Sequence, residues 1–188
     1  SEAGEWVNCY TATVPITHIA FMNGVALIAT PSLTGSTDFA YQSTPVSLSW
    51  VPTTVNHTAF SDALGKPKYF GVVSGTCYAV VDNKKVFYTT DPTTDGWTGP
   101  IDTNLDGNIS GSPGDSTYPY TGVNAVGDFL FVRKYDAIYS IDSQQDVLEV
   151  IWQWKDKPSR DNFKYTAIGA DQLLYAVGPE VYVYDPST

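Results

Sequence analysis

The stretch Gly122-Val123-Asn124-Ala125-Val126-Gly127-Asp128-Phe129-Leu130-Phe131-Val132-Arg133-Lys134-Tyr135-Asp136-Ala137-Ile138-Tyr139-Ser140-Ile141-Asp142 decides how the whole chain is read. Two short apolar runs flank Gly127-Asp128, a two-residue turn signal that predicts a β-hairpin. A third run follows and ends in Tyr139-x-x-Asp142. The runs are too short for helices of ordinary length and carry no 3.6-residue stripe, so they are strands.

The same grammar recurs along the chain. Val86-Phe87-Tyr88-Thr89-Thr90-Asp91 and Glu180-Val181-Tyr182-Val183-Tyr184-Asp185 repeat the Tyr-x-x-Asp ending, and Tyr41-Gln42-Ser43-Thr44 is a weaker copy. The four tyrosines, at 41, 88, 139 and 182, are spaced 47, 51 and 43 residues apart. Each is preceded by a predicted hairpin, with Asn23-Gly24, Ser74-Gly75, Gly127-Asp128 and Gly169-Ala170-Asp171 at the turns. A period of about 40–50 residues suits four short strands, the unit of a β-propeller blade. The inner runs are apolar nearly throughout, as strands covered on both faces should be.

A fourth strand is expected after each tyrosine. Trp50 and Trp97 lie nine residues beyond Tyr41 and Tyr88, and Trp152 thirteen beyond Tyr139. The chain stops before a fourth strand can follow Tyr182, whereas Glu5-Trp6-Val7-Asn8-Cys9-Tyr10 belongs to no hairpin at the other end. Joining the ends places Trp6 twelve residues past Tyr182. The expected fold is therefore all-β: one β-propeller domain over residues 1–188, of four blades at about 11–54, 68–102, 121–154 and 163–188. Residues 5–10 are expected to close the last blade, which removes the open sheet edge. A slice of a larger ring would have the same boundaries. With neither an initiator Met nor a signal peptide, the chain reads as processed or excised from something longer.

Composition supports this class and narrows the function. Aromatic residues make up 14%, including 13 Tyr and 5 Trp, while charged residues make up only 16% against about 25% in an average domain. The formal net charge of −10 repels phosphate backbones and anionic headgroups, which argues against a nucleic-acid partner. No apolar run approaches the roughly 20 residues of a membrane helix, so no membrane insertion is expected. Cys9 and Cys77 are two cysteines in a domain that needs no disulfide scaffold, and they are expected unbridged.

Catalytic residue types are sparse. His18 lies in an apolar run and reads as a core or rim histidine; His57 lies in the sequon Asn56-His57-Thr58. Neither neighbours a nucleophile motif, and the two His and two Cys have no zinc spacing. Paired carboxylates remain open, although most Asp residues sit beside turn formers. The segment Tyr88-Thr89-Thr90-Asp91 with Asp95-Gly96-Trp97 resembles the Asp-box turn of sialidase-type propellers. Sialidases bind their acidic sugar with three arginines, and this chain has only Arg133 and Arg160. No enzyme activity is expected.

Two segments are candidate sites. Asp102, Asn104, Asp106 and Ser110 fall at positions 1, 3, 5 and 9 of a calcium-loop pattern, with Gly107 in the turn slot and Asn108 offering its carbonyl. The pattern resembles the calcium loops of integrin-type propellers, although position 12 is Pro113 and no helices flank it. Calcium is thus the one candidate cofactor, and an Asn/Asp/Gly-rich surface loop is the other reading. Trp152, Trp154, Lys155 and Arg160 form the candidate contact surface, against the alternative of an outer strand with a solvated connector.

Residues 122–142, and less closely 86–97, resemble blades of tail- and fibre-associated propeller proteins of tailed bacteriophages. The resemblance implies a non-catalytic structural or host-attachment module, in a virion or at an extracellular surface. Its partners would be neighbouring protein subunits, or a glycan or protein of the host surface. A carbohydrate-binding propeller lectin is the alternative, and a glycan-active enzyme a further one.

Overall fold

The computed structural model describes residues 11, 15–23, 25–29, 39–42, 53–54, 67–81, 86–92, 94, 96–99, 121–135, 137–142, 148–153, 162, 165–169 and 172–186. Among them every regular element is a strand. The strands fall into four antiparallel sheets, each wound in chain order. Sheet 1 is β1 (His18–Met22), β2 (Val25–Ala29), β3 (Phe39–Gln42) and β4 (Thr53–Thr54). Sheet 2 is β5 (Pro67–Val73), β6 (Thr76–Val81) and β7 (Val86–Thr89). Sheet 3 is β8 (Gly122–Val126), β9 (Phe129–Arg133), β10 (Ala137–Asp142) and β11 (Leu148–Gln153). Sheet 4 is β12 (Thr166–Gly169), β13 (Gln172–Val177) and β14 (Glu180–Tyr184).

The first hairpin of each sheet forms where the turn residues predict it. Asn23 and Ser74 take positive φ of 50° and 46°, and Gly75 and Gly127 follow at 78° and 57°; Gly178, at 58°, turns the second hairpin of sheet 4 between Val177 and Glu180. Ser74-Gly75, with two successive positive φ values between the paired Val73 and Thr76, is a type I′ turn matched to strand twist. Gly169 departs from expectation: it pairs with Gln172 as part of β12.

The expected fourth strands are unequal. In sheet 3, Trp152 lies in β11 opposite Ile138. In sheet 1 the strand is two residues, pairing Thr53 and Thr54 with Tyr41 and Ala40. In sheet 2, among the described residues, it is one bridge, Tyr88 with Thr98, next to Trp97, which turns inward and packs on Phe70. Residues 5–10, and with them the closing strand, lie outside the described residues.

Period-two alternation distributes the core among three sheet–sheet interfaces. On β6, Cys77, Ala79 and Val81 face sheet 1, where they meet Met22, Leu27 and Ala29. Tyr78 and Val80 face the other way, toward Leu130, Val132 and Tyr139 of sheet 3. On the far side of sheet 3, Val126, Phe131 and Ile138 pack on Leu173, Tyr175 and Val177 of sheet 4. The approach of β5 to β9 is close enough that a Cβ on Gly71 would collide with Leu130. No described core cluster joins sheet 4 to sheet 1.

The first strands converge: β5 packs against both β1 and β8. Polar contacts tie neighbouring sheets. Thr17 Oγ1 donates to the Lys68 carbonyl at 2.9 Å, Ser74 Oγ to the Asp128 carboxylate, and Thr166 Oγ1 to Asn124 Oδ1 at 3.0 Å.

Candidate interaction surfaces

The candidate sites read from sequence lie largely beyond description. Asp102, Asn104, Asp106, Asn108 and Ser110 all fall outside the described residues, as do Trp154, Lys155 and Arg160. The backbone of Trp152 holds its place in β11. Among the described residues no three His, Cys, Asp or Glu side chains gather as metal ligands. Cys77 carries a free thiol, and burial between sheets 1 and 2 pushes its pKa well up, which makes it a core residue and a poor nucleophile.

The Asp-box-like turn is structural. Thr89 Oγ1 accepts from the Asp91 backbone N–H at 3.1 Å, and Thr94 Oγ1 donates to the Asp91 carbonyl at 3.2 Å. These bonds shape the exit from β7 and leave Trp97 directed into the core. The Asp185 carboxylate, at the equivalent repeat position, accepts from Gln172 Nε2 at 3.1 Å.

At the convergent edge, three sheets contribute to a cluster that composition did not signal. His18 from sheet 1 sits edge-on to Tyr69 of sheet 2, with ring centroids 5.8 Å apart. Arg133 of sheet 3 is buried within electrostatic range of both. Burial lowers the Arg133 pKa to about 10, with charge on Tyr69 opposing. The His18 pKa is lowered by burial, against a hydrogen bond to the Phe70 backbone, and lowered further by the Arg133 charge. The guanidinium lies where a Cβ of residue 122 would stand, so a side chain there would displace it. Lys134, fully buried, places Nζ 5.8 Å from the centroid of the Tyr139 ring, a cation–π contact. This cluster combines cations with tyrosines.

The second surface is the face of sheet 4 turned away from sheet 3. Registers Ala167↔Leu174↔Val183 and Ala176↔Val181 bring five apolar side chains onto it, with Tyr165 at its end. Val181 is 68% and Val183 56% exposed. A shallow pocket of about 230 Å³ opens there, lined by Tyr165, Ala167, Leu174, Ala176 and Val181 among others. That is below the ~300–1,000 Å³ of small-molecule sites and has few polar groups to orient a ligand. The signal for this face was present in sequence: β13 and β14 are apolar on both sides, whereas the last sheet of a stack has a neighbour on one.

No family model and no curated protein matches the chain. Among solved structures, it is similar to the computationally designed Ika4 protein at 10% identity and a TM-score of 0.59, covering 97% of this chain and 98% of that one. It is similar to the extracellular domain of BT4673 from B. thetaiotaomicron at 12% identity and a TM-score of 0.62, covering 92% of this chain and 22% of that one. The designed Ika8 protein matches at 11% identity and a TM-score of 0.55, covering 90% and 45%. The chain thus spans under half the length of the latter two. At these identities the likeness is one of fold.

Proposed function

We propose that the four sheets are β-propeller blades, and that the chain is a non-catalytic structural or adhesion module of a virion or extracellular surface assembly. It presents binding surface to neighbouring subunits or to a host. Four in-order antiparallel meanders with converging first strands support the blade reading. Residues 5–10 serve, in this reading, as the fourth strand that completes sheet 4 and closes the ring. Closure within one chain gives four blades.

The observation that carries the function is the exposed apolar face of sheet 4, because a contiguous apolar patch on a packed domain marks an interaction surface. The extracellular setting is supported by the BT4673 neighbour, and the virion setting by the resemblance of residues 122–142. Trp152, Trp154, Lys155 and Arg160 are the proposed contact strand for a host glycan or protein. A lectin reading has Tyr165 beside the pocket in its favour, but that lining offers few polar groups for sugar hydroxyls. Mass spectrometry and imaging of purified native particles test the proposal, with the protein expected in many copies. A freely soluble chain that hydrolyses glycans at measurable rates overturns it.

A further inference from the structure

The first strands of the four sheets share a register, and one level of it gathers groups that can hold an anion. Counting four residues back from the strand ends at Met22, Val73, Val126 and Gly169 gives His18, Tyr69, Gly122 and Tyr165. Strands β1, β5 and β8 converge, so the first three positions lie along one edge. Gly122 has no side chain of its own, and the guanidinium of Arg133, its partner on β9, fills that place. Tyr165, at the fourth position, precedes Thr166, whose hydroxyl bonds Asn124 of β8. The His18 and Tyr69 rings lie 5.8 Å apart and are half-buried, so this level is open to solvent on their side, while Arg133 is buried.

We propose that this edge binds a small carboxylate between the Arg133 guanidinium, the Tyr69 hydroxyl and His18. A guanidinium is a planar fork that matches both oxygens of a carboxylate, and such charge-assisted bonds are roughly twice as strong as neutral ones. The local field is positive although the chain carries −10, because the Arg133 charge reaches His18, where burial and that charge hold the imidazole pKa down. Charges elsewhere on the surface are screened beyond roughly 8 Å at physiological salt, whereas partly buried groups are screened less, so the near cations decide. A bound carboxylate favours the protonated imidazole, and His18 therefore takes up a proton as the ligand binds. The inference goes beyond the surface-presenting reading and does not rest on it.

Proton NMR of the full chain tests this through the His18 C2–H signal, distinguished from that of His57, the other histidine, by its loss in His18→Gln. Sodium acetate and sodium glucuronate are titrated to about 50 mM, enough to saturate a millimolar site, against equal sodium chloride. The expected result with both is a saturable shift of the His18 signal and a rise in the pH at which it titrates. Tyr69→Phe keeps the ring beside His18, removes the hydroxyl and should weaken both effects severalfold. Gly122→Ala puts a methyl where the guanidinium lies and should weaken them at least about tenfold, as loss of a hydrogen bond to a charged group does. Circular dichroism checks both variants, and Tyr69→Phe, the milder change, decides if Gly122→Ala does not fold. A stronger response to glucuronate than to acetate, with methyl glucoside silent, supports the proposal and places the carboxylate on an acidic sugar. A response to glucuronate no stronger than that to acetate supports it with a small free carboxylate as ligand. No shift beyond that of chloride overturns the proposal, as does a shift that Tyr69→Phe leaves unchanged or that methyl glucoside gives equally. Preference for inorganic phosphate over acetate overturns the carboxylate assignment.

Discussion

At the convergent edge, individual residues carry electrostatic consequences. Folding holds the His18 pKa below its usual 6.5, chiefly by burial and further by Arg133, although a bond to the Phe70 backbone opposes. The neutral ring is favoured in the folded chain, so the unfolded chain binds the extra proton first. His18 therefore contributes stability that is present above about pH 6.5 and is lost as pH falls through its lowered folded value. Denaturant melts between pH 7.5 and pH 5, a window around the ordinary imidazole pKa, should give a steeper loss for the native chain than for His18→Phe. Parallel slopes would show that His18 does not couple to folding. None of this was legible in the linear sequence, where His18 is one histidine in an apolar run. Tyr69 and Arg133 lie 51 and 115 residues away, and only the convergence of sheets brings them close.

Among the elements, the repeat places equivalent tyrosines in unequal surroundings. Tyr139 is fully buried at the centre of the sheet 2–sheet 3 interface, Tyr88 is partly buried at the same interface, and Tyr182 lies on the terminal sheet stacked on Tyr175. Replacement by alanine should follow that order. Tyr139→Ala is expected to cost about 3–5 kcal/mol, as large aromatic deletions in a core do. Tyr88→Ala should cost less and Tyr182→Ala least, all measured by equilibrium unfolding. Equal losses at the three positions would mean that their surroundings are equivalent, against the burial described. The hairpins themselves were readable in sequence, because Ser74-Gly75 and Gly127-Asp128 encode their backbone locally. The fourth strands were read less well. Trp50 and Trp97 mark the expected fourth strands, but Trp97 packs into the core, and among the described residues the strand it marks is the Tyr88–Thr98 bridge. A side chain's choice between ladder and core depends on what lies opposite, which the next sheet supplies.

For the molecule as a whole, low charge density and a net −10 make bound cations and salt the natural levers on stability. If Asp102, Asn104 and Asp106 hold calcium, with Ser110 and the Asn108 carbonyl, chelation removes a ligand of the folded state alone and lowers the melting temperature. The expected shift is about 2–4 °C for each kcal/mol of binding in a chain of this size. Asp106→Ala should abolish the response to EDTA; no response in the native chain returns the segment to a surface loop. The sequence by itself determined the all-β class, the four-fold repeat, the hairpin turns and which strands are apolar on both faces. Those features depend on alternation and turn chemistry within a few residues. Only the tertiary structure decided the stacking of the sheets in chain order, the gathering of His18, Tyr69 and Arg133, and the exposure of Val181 and Val183 on sheet 4. Two-sided apolarity states that a strand needs cover on both sides. It does not state which surface provides it, because apolar burial is non-directional and any complementary face satisfies it.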